Sequence, residues 1–111
     1  MAEQLPLSGV RVADFTWVWA GPFCTLQLAH LGAEVIRIES ESRLCITRRI
    51  PPAADGEAGP NRCGYFNQYN QGKNSICLNL KKPEGLKIAK KLVATSDIVA
   101  ENFAAGVMDK M

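Results

Sequence analysis

The chain has one histidine, His30, and its four cysteines, Cys24, Cys45, Cys63 and Cys77, form no C-x-x-C pair. Tetrahedral zinc draws on closely spaced thiolate and imidazole ligands, so no metal centre is expected. Scattered thiols of this kind fit a reducing compartment, and no disulfide is expected either. No apolar run approaches the roughly 18 to 20 residues that span a bilayer, so no membrane partner is expected. The opening MAEQLPLSG lacks a basic segment followed by an apolar core, the pattern of a secretory leader. The expected location is therefore cytoplasmic, or mitochondrial or peroxisomal in a eukaryote. Thirteen basic and eleven acidic residues leave a formal charge of +2. That is too small to mark a nucleic-acid binder, although it leaves room for a local basic patch. Internal repeats and low-complexity tracts are also missing.

What is present reads as an α/β chain. Hydrophobic residues make up 47% and charged residues 22% of the 111, an ordinary globular balance that argues against disorder. Val10 to Phe15 (VRVADF) is predicted as a strand, Pro22 to Leu31 as a helix ended by Gly32, and Glu34 to Glu39 (EVIRIE) as a second strand. In the helix only Gln27 and His30 make a polar stripe, so it is expected to be mostly buried. Strand, helix and strand within about thirty residues is the size of a parallel βαβ unit. Ser40 to Gly64, with prolines, glycines and arginines and no clear period, reads as a long surface loop. Ser75 to Leu80 alternates as a third strand. Pro83 to about Ser96 is a helix with Pro83 in its first turn, Glu84 at the positive end of its dipole and lysines further along. Asp97 to Phe103 reads as a fourth strand, and Gly106 to Met111 begins something helical. The fold expected is a Rossmann-like parallel sheet with flanking helices.

In such a sheet, ligands collect beyond the carboxyl ends of the strands. Phe15 to Gly21 (FTWVWAG) lies at one such end and Asn102-Phe103 at another. The first turn has a single glycine, with Trp17 and Trp19 beside it. A G-x-G-x-x-G fingerprint lets the backbone approach a pyrophosphate closely, and its absence disfavours NAD; no P-loop motif exists in the chain. An aromatic turn suits a flat or apolar ligand part, and Arg48, Lys73, Lys81 and Lys110 at neighbouring segment ends suit anionic groups. A long ligand with an adenine, several phosphates and an uncharged arm would match both.

Several segments together resemble one family. LSGVRVADFT, AGPFCT, LGAEVIRIE, YFNQYNQGKNSICLNLKKPEG and VAENFAAGVMDKM occur in that order and cover nearly the whole chain. This is similar to the N-terminal portion of the class III CoA-transferases, which include formyl-CoA and carnitine CoA-transferases and the related α-methylacyl-CoA racemases. The resemblance implies an enzyme that moves CoA between an acyl-CoA and a carboxylic acid, with acyl-CoA as substrate and no permanently bound cofactor. In the transferases an aspartate attacks the thioester to give a mixed anhydride, the thiolate returns to form an aspartyl-CoA thioester, and an acceptor carboxylate then takes the CoA. It also implies an interlocked homodimer. Family members are several times longer and carry the nucleophile downstream of the matched segment, so residues 1–111 are expected to be a truncated CoA-binding portion. No catalytic residue, and no activity of the piece alone, is then expected. Asp14 reads as a loop cap instead. Two alternatives stay open: an α-methylacyl-CoA racemase-type enzyme, which moves a proton by acid–base catalysis, and a non-catalytic nucleotide-binding or interaction module.

By position, the resemblance implies CoA contacts at Val18 and Trp19 in the turn and at Leu78 and Lys81 beside the adenine and phosphates. It implies others at Asn102 and Phe103 on the pocket rim, at Lys110, and at Arg48 in a Thr47-Arg48 pair. The departures are specific. The family's Gly-Asp ahead of Thr-Arg is missing, a basic N-R-N-K-R-S becomes N-Q-G-K-N-S around Lys73, Ser40 replaces an arginine over the adenine, and Lys110 replaces an arginine fork. These changes argue against formyl-CoA as the specific substrate.

Overall fold

A computed structural model describes residues 4–111. Strands β1 (Arg11–Asp14), β2 (Glu34–Glu39), β3 (Asn74–Cys77) and β4 (Ile98–Ala100) form one sheet in the order β3-β2-β1-β4. Every pairing is parallel, with Val12 opposite Val35 and Ile98, and Arg37 opposite Ser75. Helices α1 (Ala20–His30), α2 (Gly64–Tyr69) and α3 (Pro83–Ala94) flank it. The expected α/β parallel sheet is the one observed.

Side chains alternate across a strand, and here the alternation sorts two different layers. Ala13 of β1, Phe15 just past it, Ile38 of β2 and Leu78 just past β3 meet Ala89 of α3, with Leu92 and Val93 against them, in an apolar layer. The other face begins apolar, with Val12 and Val35 under Leu28 and Ala29 of α1. Further along the same face Asp14, Arg37 and Glu39 are all buried. That half of the interior is polar.

The strand order places the chain's reversal at β1. The connection through α1 leads to β2 on one side, while β4 returns to the other side of β1. The carboxyl ends of β1 and β4 thus flank the switch point of the sheet, where open α/β folds form their ligand crevice.

Several local expectations need correction. The α1 helix is not mostly buried: Pro22, Thr25 and Leu26 are, but Phe23, and Leu31 just past its end, stay exposed, because the sheet reaches only one side of it. The loop over Ser40 to Gly64 is organised by short 3-10 turns at Ile46–Arg48 and Ala54–Gly56 and by an antiparallel bridge between Ala53 and Cys63. The α2 helix that follows was not expected. Strand β3 runs Asn74–Cys77 rather than to Leu80, β4 stops at Ala100 rather than Phe103, and the last segment holds a 3-10 turn at Met108–Lys110. Past α1, Gly32 takes a φ of 101°, the left-handed geometry that ends a helix and suits glycine.

Candidate functional site

The site is built on a buried carboxylate. Asp14 closes β1 with no solvent exposure and accepts the Thr16 N–H at 2.9 Å, so it caps the turn that follows. Its other oxygen accepts Thr25 Oγ1 of α1 at 2.7 Å and Lys73 Nζ at 3.1 Å. Lys73 donates further to Pro22 O at 3.0 Å and Asn70 Oδ1 at 3.1 Å. Burial pushes the lysine below its ordinary value; Asp14 opposes that shift, and neighbouring Arg37 adds to it. Among the described residues, Nε and one terminal nitrogen of Arg37 have no hydrogen-bond partner, and its guanidinium lies 5.4 Å from the Phe66 ring centre.

The turn above Asp14 is irregular for a physical reason. Val18 has a φ of 69°, a left-handed conformation that a β-branched residue avoids unless its surroundings impose it. Three contacts impose it. The Trp17 N–H donates to Asn102 Oδ1 at 2.8 Å, and Asn102 Nδ2 donates back to Trp17 O at 2.8 Å. The Val18 N–H points at Cys45 Sγ, 3.3 Å away. Gly21 is the one glycine because space demands it: a Cβ there would lie 2.6 Å from Thr16 Cβ and 2.9 Å from Asn102 Nδ2. The aromatic rings then line the outside, with Trp19 against Tyr65 (5.7 Å between centres), Phe23 against Tyr69 (6.2 Å) and the Arg43 guanidinium 5.3 Å from Trp17.

Val18, Trp19 and Asn102 therefore come together at the switch point. Val18 and Trp19 are exposed there, at 37% and 47%. Leu78 and Phe103 meet in the apolar layer on the α3 side, Leu78 buried and Phe103 partly so. Lys81 is exposed just before α3, its N–H donating to Asn79 Oδ1 at 3.0 Å, and Lys110 is exposed in the final turn. Arg48 makes no hydrogen bond to these residues among the described ones and is held by another set of partners. Its guanidinium donates to Glu39 Oε1 at 2.6 and 2.8 Å, to Pro60 O at 2.7 Å and to Asn61 Oδ1 at 2.9 Å, and stands 3.5 Å from the Phe66 ring centre. A hollow of about 660 Å³ lies within the Ser40 to Gly64 loop among Leu44, Arg49, Pro51 and Pro52; of the predicted site residues, Arg48 alone lines it. Cys45 and Glu39 were not anticipated. Glu39 acts on the turn only through Cys45, whose N–H its Oε2 accepts at 2.7 Å, and nothing local to a cysteine marks it as the support of a turn more than twenty residues away.

The arrangement offers an apolar, aromatic ledge with a fixed main chain and exposed cations at a distance. Among the described residues no cluster of three or more His, Cys, Asp or Glu could hold a metal ion, and no helix is long and apolar enough to cross a membrane. Asp14, the carboxylate that closes β1, is sealed beneath the ledge.

An α/β chain with its ledge at the switch point is the class of protein that the fold and geometry define. The family described as CoA-transferase family III matches residues 7–111. The chain belongs to that family. It is 42% identical to succinyl-CoA:glutarate CoA-transferase of Mus musculus over 107 residues, which is 96% of this chain and 23% of that protein. It is 43% identical to formyl-CoA:oxalate CoA-transferase of Escherichia coli O6:H1 over 107 residues, 96% of this chain and 24% of that protein. A crystal structure of a CaiB/BaiF family protein from Brucella suis superposes with a TM-score of 0.84 at 36% identity, covering 97% of this chain and 28% of the other. The chain thus spans about a quarter of the length of the relatives it matches.

Proposed function

We propose that these residues supply part of the coenzyme A site of an enzyme that moves CoA between an acyl-CoA and a carboxylic acid. The aromatic turn at Val18 and Trp19 receives the apolar and flat parts of the coenzyme. Exposed Lys81 and Lys110 meet its phosphates, and Phe103 and Leu78 form the apolar floor between them. The nucleophile is an aspartate outside residues 1–111, which forms the mixed anhydride and then the aspartyl-CoA thioester. Acyl-CoA and a free acid are the substrates, no cofactor is bound permanently, and the working assembly is an interlocked homodimer in the cytoplasm.

The single observation that carries this reading is the sealing of Asp14. Thr16, Thr25 and Lys73 occupy both oxygens of a fully buried carboxylate, so the carboxylate that closes β1 beneath the ledge is not a free attacking group. Calorimetry with CoA and with NAD is the test. Measurable binding of CoA, weak in the isolated chain, with none of NAD, is the expected result; tighter binding of NAD overturns the assignment. Turnover by the isolated 111-residue chain would show that its nucleophile lies within it.

A further inference from the structure

We propose that Asn102 is a positioning residue, which shapes the ledge by clamping the Trp17 peptide and leaves contact with the ligand to Val18 and Trp19. The inference rests on the coenzyme A reading above and assigns Asn102 a different role within it.

The geometry is that of a cyclic amide pair. The side-chain carbonyl takes the Trp17 N–H and the side-chain NH₂ gives to the Trp17 carbonyl, both at 2.8 Å. This copies the two bonds a strand would make, at the point where β4 has already ended at Ala100. It extends the β1–β4 contact by one side chain, beyond the last main-chain bond from Phe15 N–H to Ala100 O at 2.8 Å. The next residue is Val18, whose positive φ carries strain of the order of 1–3 kcal/mol that only over-determined surroundings retain. Asn102 holds the peptide before it and Cys45 holds its N–H. The absence of a Cβ at Gly21 keeps room for the Asn102 amide. Asparagine is suited to the task because one planar group presents a donor and an acceptor side by side. With each of those groups committed to the main chain, the amide defines where the ledge stands.

Aspartate provides a discriminating variant. N102D is nearly isosteric, but its ionised carboxylate can only accept, and faces the Trp17 carbonyl without a proton between them. Protonation restores a donor beside an acceptor. The test compares wild type, N102A and N102D by hydrogen exchange of the segment Phe15–Gly21 without ligand, expressed as protection factors, and by calorimetry with CoA. Near neutral pH both variants should lose protection at Trp17 and Val18 and bind CoA about tenfold more weakly, as expected for two neutral hydrogen bonds. The Trp17 carbonyl oxygen facing the ionised group disfavours it and raises the carboxyl above its ordinary value near 3.9, so as the pH falls from about 7.5 to about 4.5 N102D should regain protection and relative affinity by taking up a proton. N102A should not recover, and wild type should keep its protection throughout. Weakened CoA binding with an unchanged, protected turn would make Asn102 a direct ligand contact and overturn the proposal. Unchanged protection in both variants overturns it as well. If wild type fails to bind CoA, the coenzyme reading falls, while the exchange comparison still decides whether the clamp exists.

Discussion

Lys73 and Asp14, 59 residues apart in the chain, meet at 3.1 Å with their side chains 1% and 0% exposed. The pair ties the segment entering β3 to the carboxyl end of β1, directly beneath the turn that carries Val18 and Trp19. Its energetics differ from those of a surface ion pair. Both ions have left water, and the hydrogen bonds from Thr16 and Thr25 and to Pro22 O and Asn70 keep the arrangement tolerable.

Breaking that pair on one side is therefore expected to be severe. Lys73→Met leaves the Asp14 carboxylate buried beside two hydroxyls and should destabilise the fold by about 3–5 kcal/mol. Urea denaturation is the measurement. The double variant Asp14→Asn with Lys73→Met removes both charges and should recover much of the loss; a double variant as unstable as the single one contradicts the pairing.

The same lysine predicts an alkaline signature. Its pKa in the folded state lies below the ordinary 10.5, chiefly through burial. Between the lowered value and 10.5 the unfolded chain binds the extra proton, so this group makes stability rise with pH across that window. Below the lowered value that contribution is lost. Subtracting the stability–pH profile of Lys73→Met from that of wild type should isolate a component with this positive slope. A flat or falling difference contradicts it.

Gly21→Ala tests the crowding around the turn. The added methyl meets Thr16 Cβ and Asn102 Nδ2 inside contact distance, and overpacking of this kind destabilises by roughly 1–3 kcal/mol. A lowered midpoint in thermal melting is expected, together with weaker CoA binding because the clamp must shift. An unaltered melting curve would mean that the neighbours yield freely.

Lys81→Ala addresses an exposed cation whose ammonium has no hydrogen-bond or ion-pair partner among the described residues. It should leave stability within about 0.5 kcal/mol, as surface substitutions do. On the proposed coenzyme A reading it should weaken CoA binding by about 0.5–2 kcal/mol, the scale of one charge-assisted contact. The readout is the Michaelis constant for acyl-CoA; an unchanged constant removes Lys81 from the site.

Much of this architecture was readable from local pattern. The run EVIRIE has the β-branched content of a strand, Gly32 marks the end of α1, and Pro83 and Glu84 mark the start of α3. The six residues of α2 carry no comparable signal. They open on a glycine, contain two tyrosines and an asparagine, and have no side-chain cap, so propensity does not announce a helix that its neighbours stabilise. The site was readable in part. Trp19 and Asn102 stand at strand ends, but their link through Trp17 spans 85 positions of chain. Lys73 and Arg48 read as free cations because such residues are usually exposed. Their burial depends on Asp14, 59 positions from Lys73, and on Glu39, which is nine positions from Arg48 but reaches it only through the aperiodic course of the intervening loop. The exposed side of α1 escaped for a related reason: its composition resembles that of a helix enclosed all round, whereas the sheet covers only Pro22, Thr25 and Leu26.

The two layers of this sheet constrain descent in different ways. On the α3 side, Ile38, Leu78 and Ala89 form a patch in which one aliphatic group can replace another through small volume changes, one position at a time. Beneath α1 and α2, Asp14 answers Lys73 and Glu39 answers Arg48, so neither member can drift without stranding its opposite number. Lineages sharing this fold should therefore vary freely on one side and exchange whole sets of residues on the other, and the ledge above Asp14 inherits the slower pace.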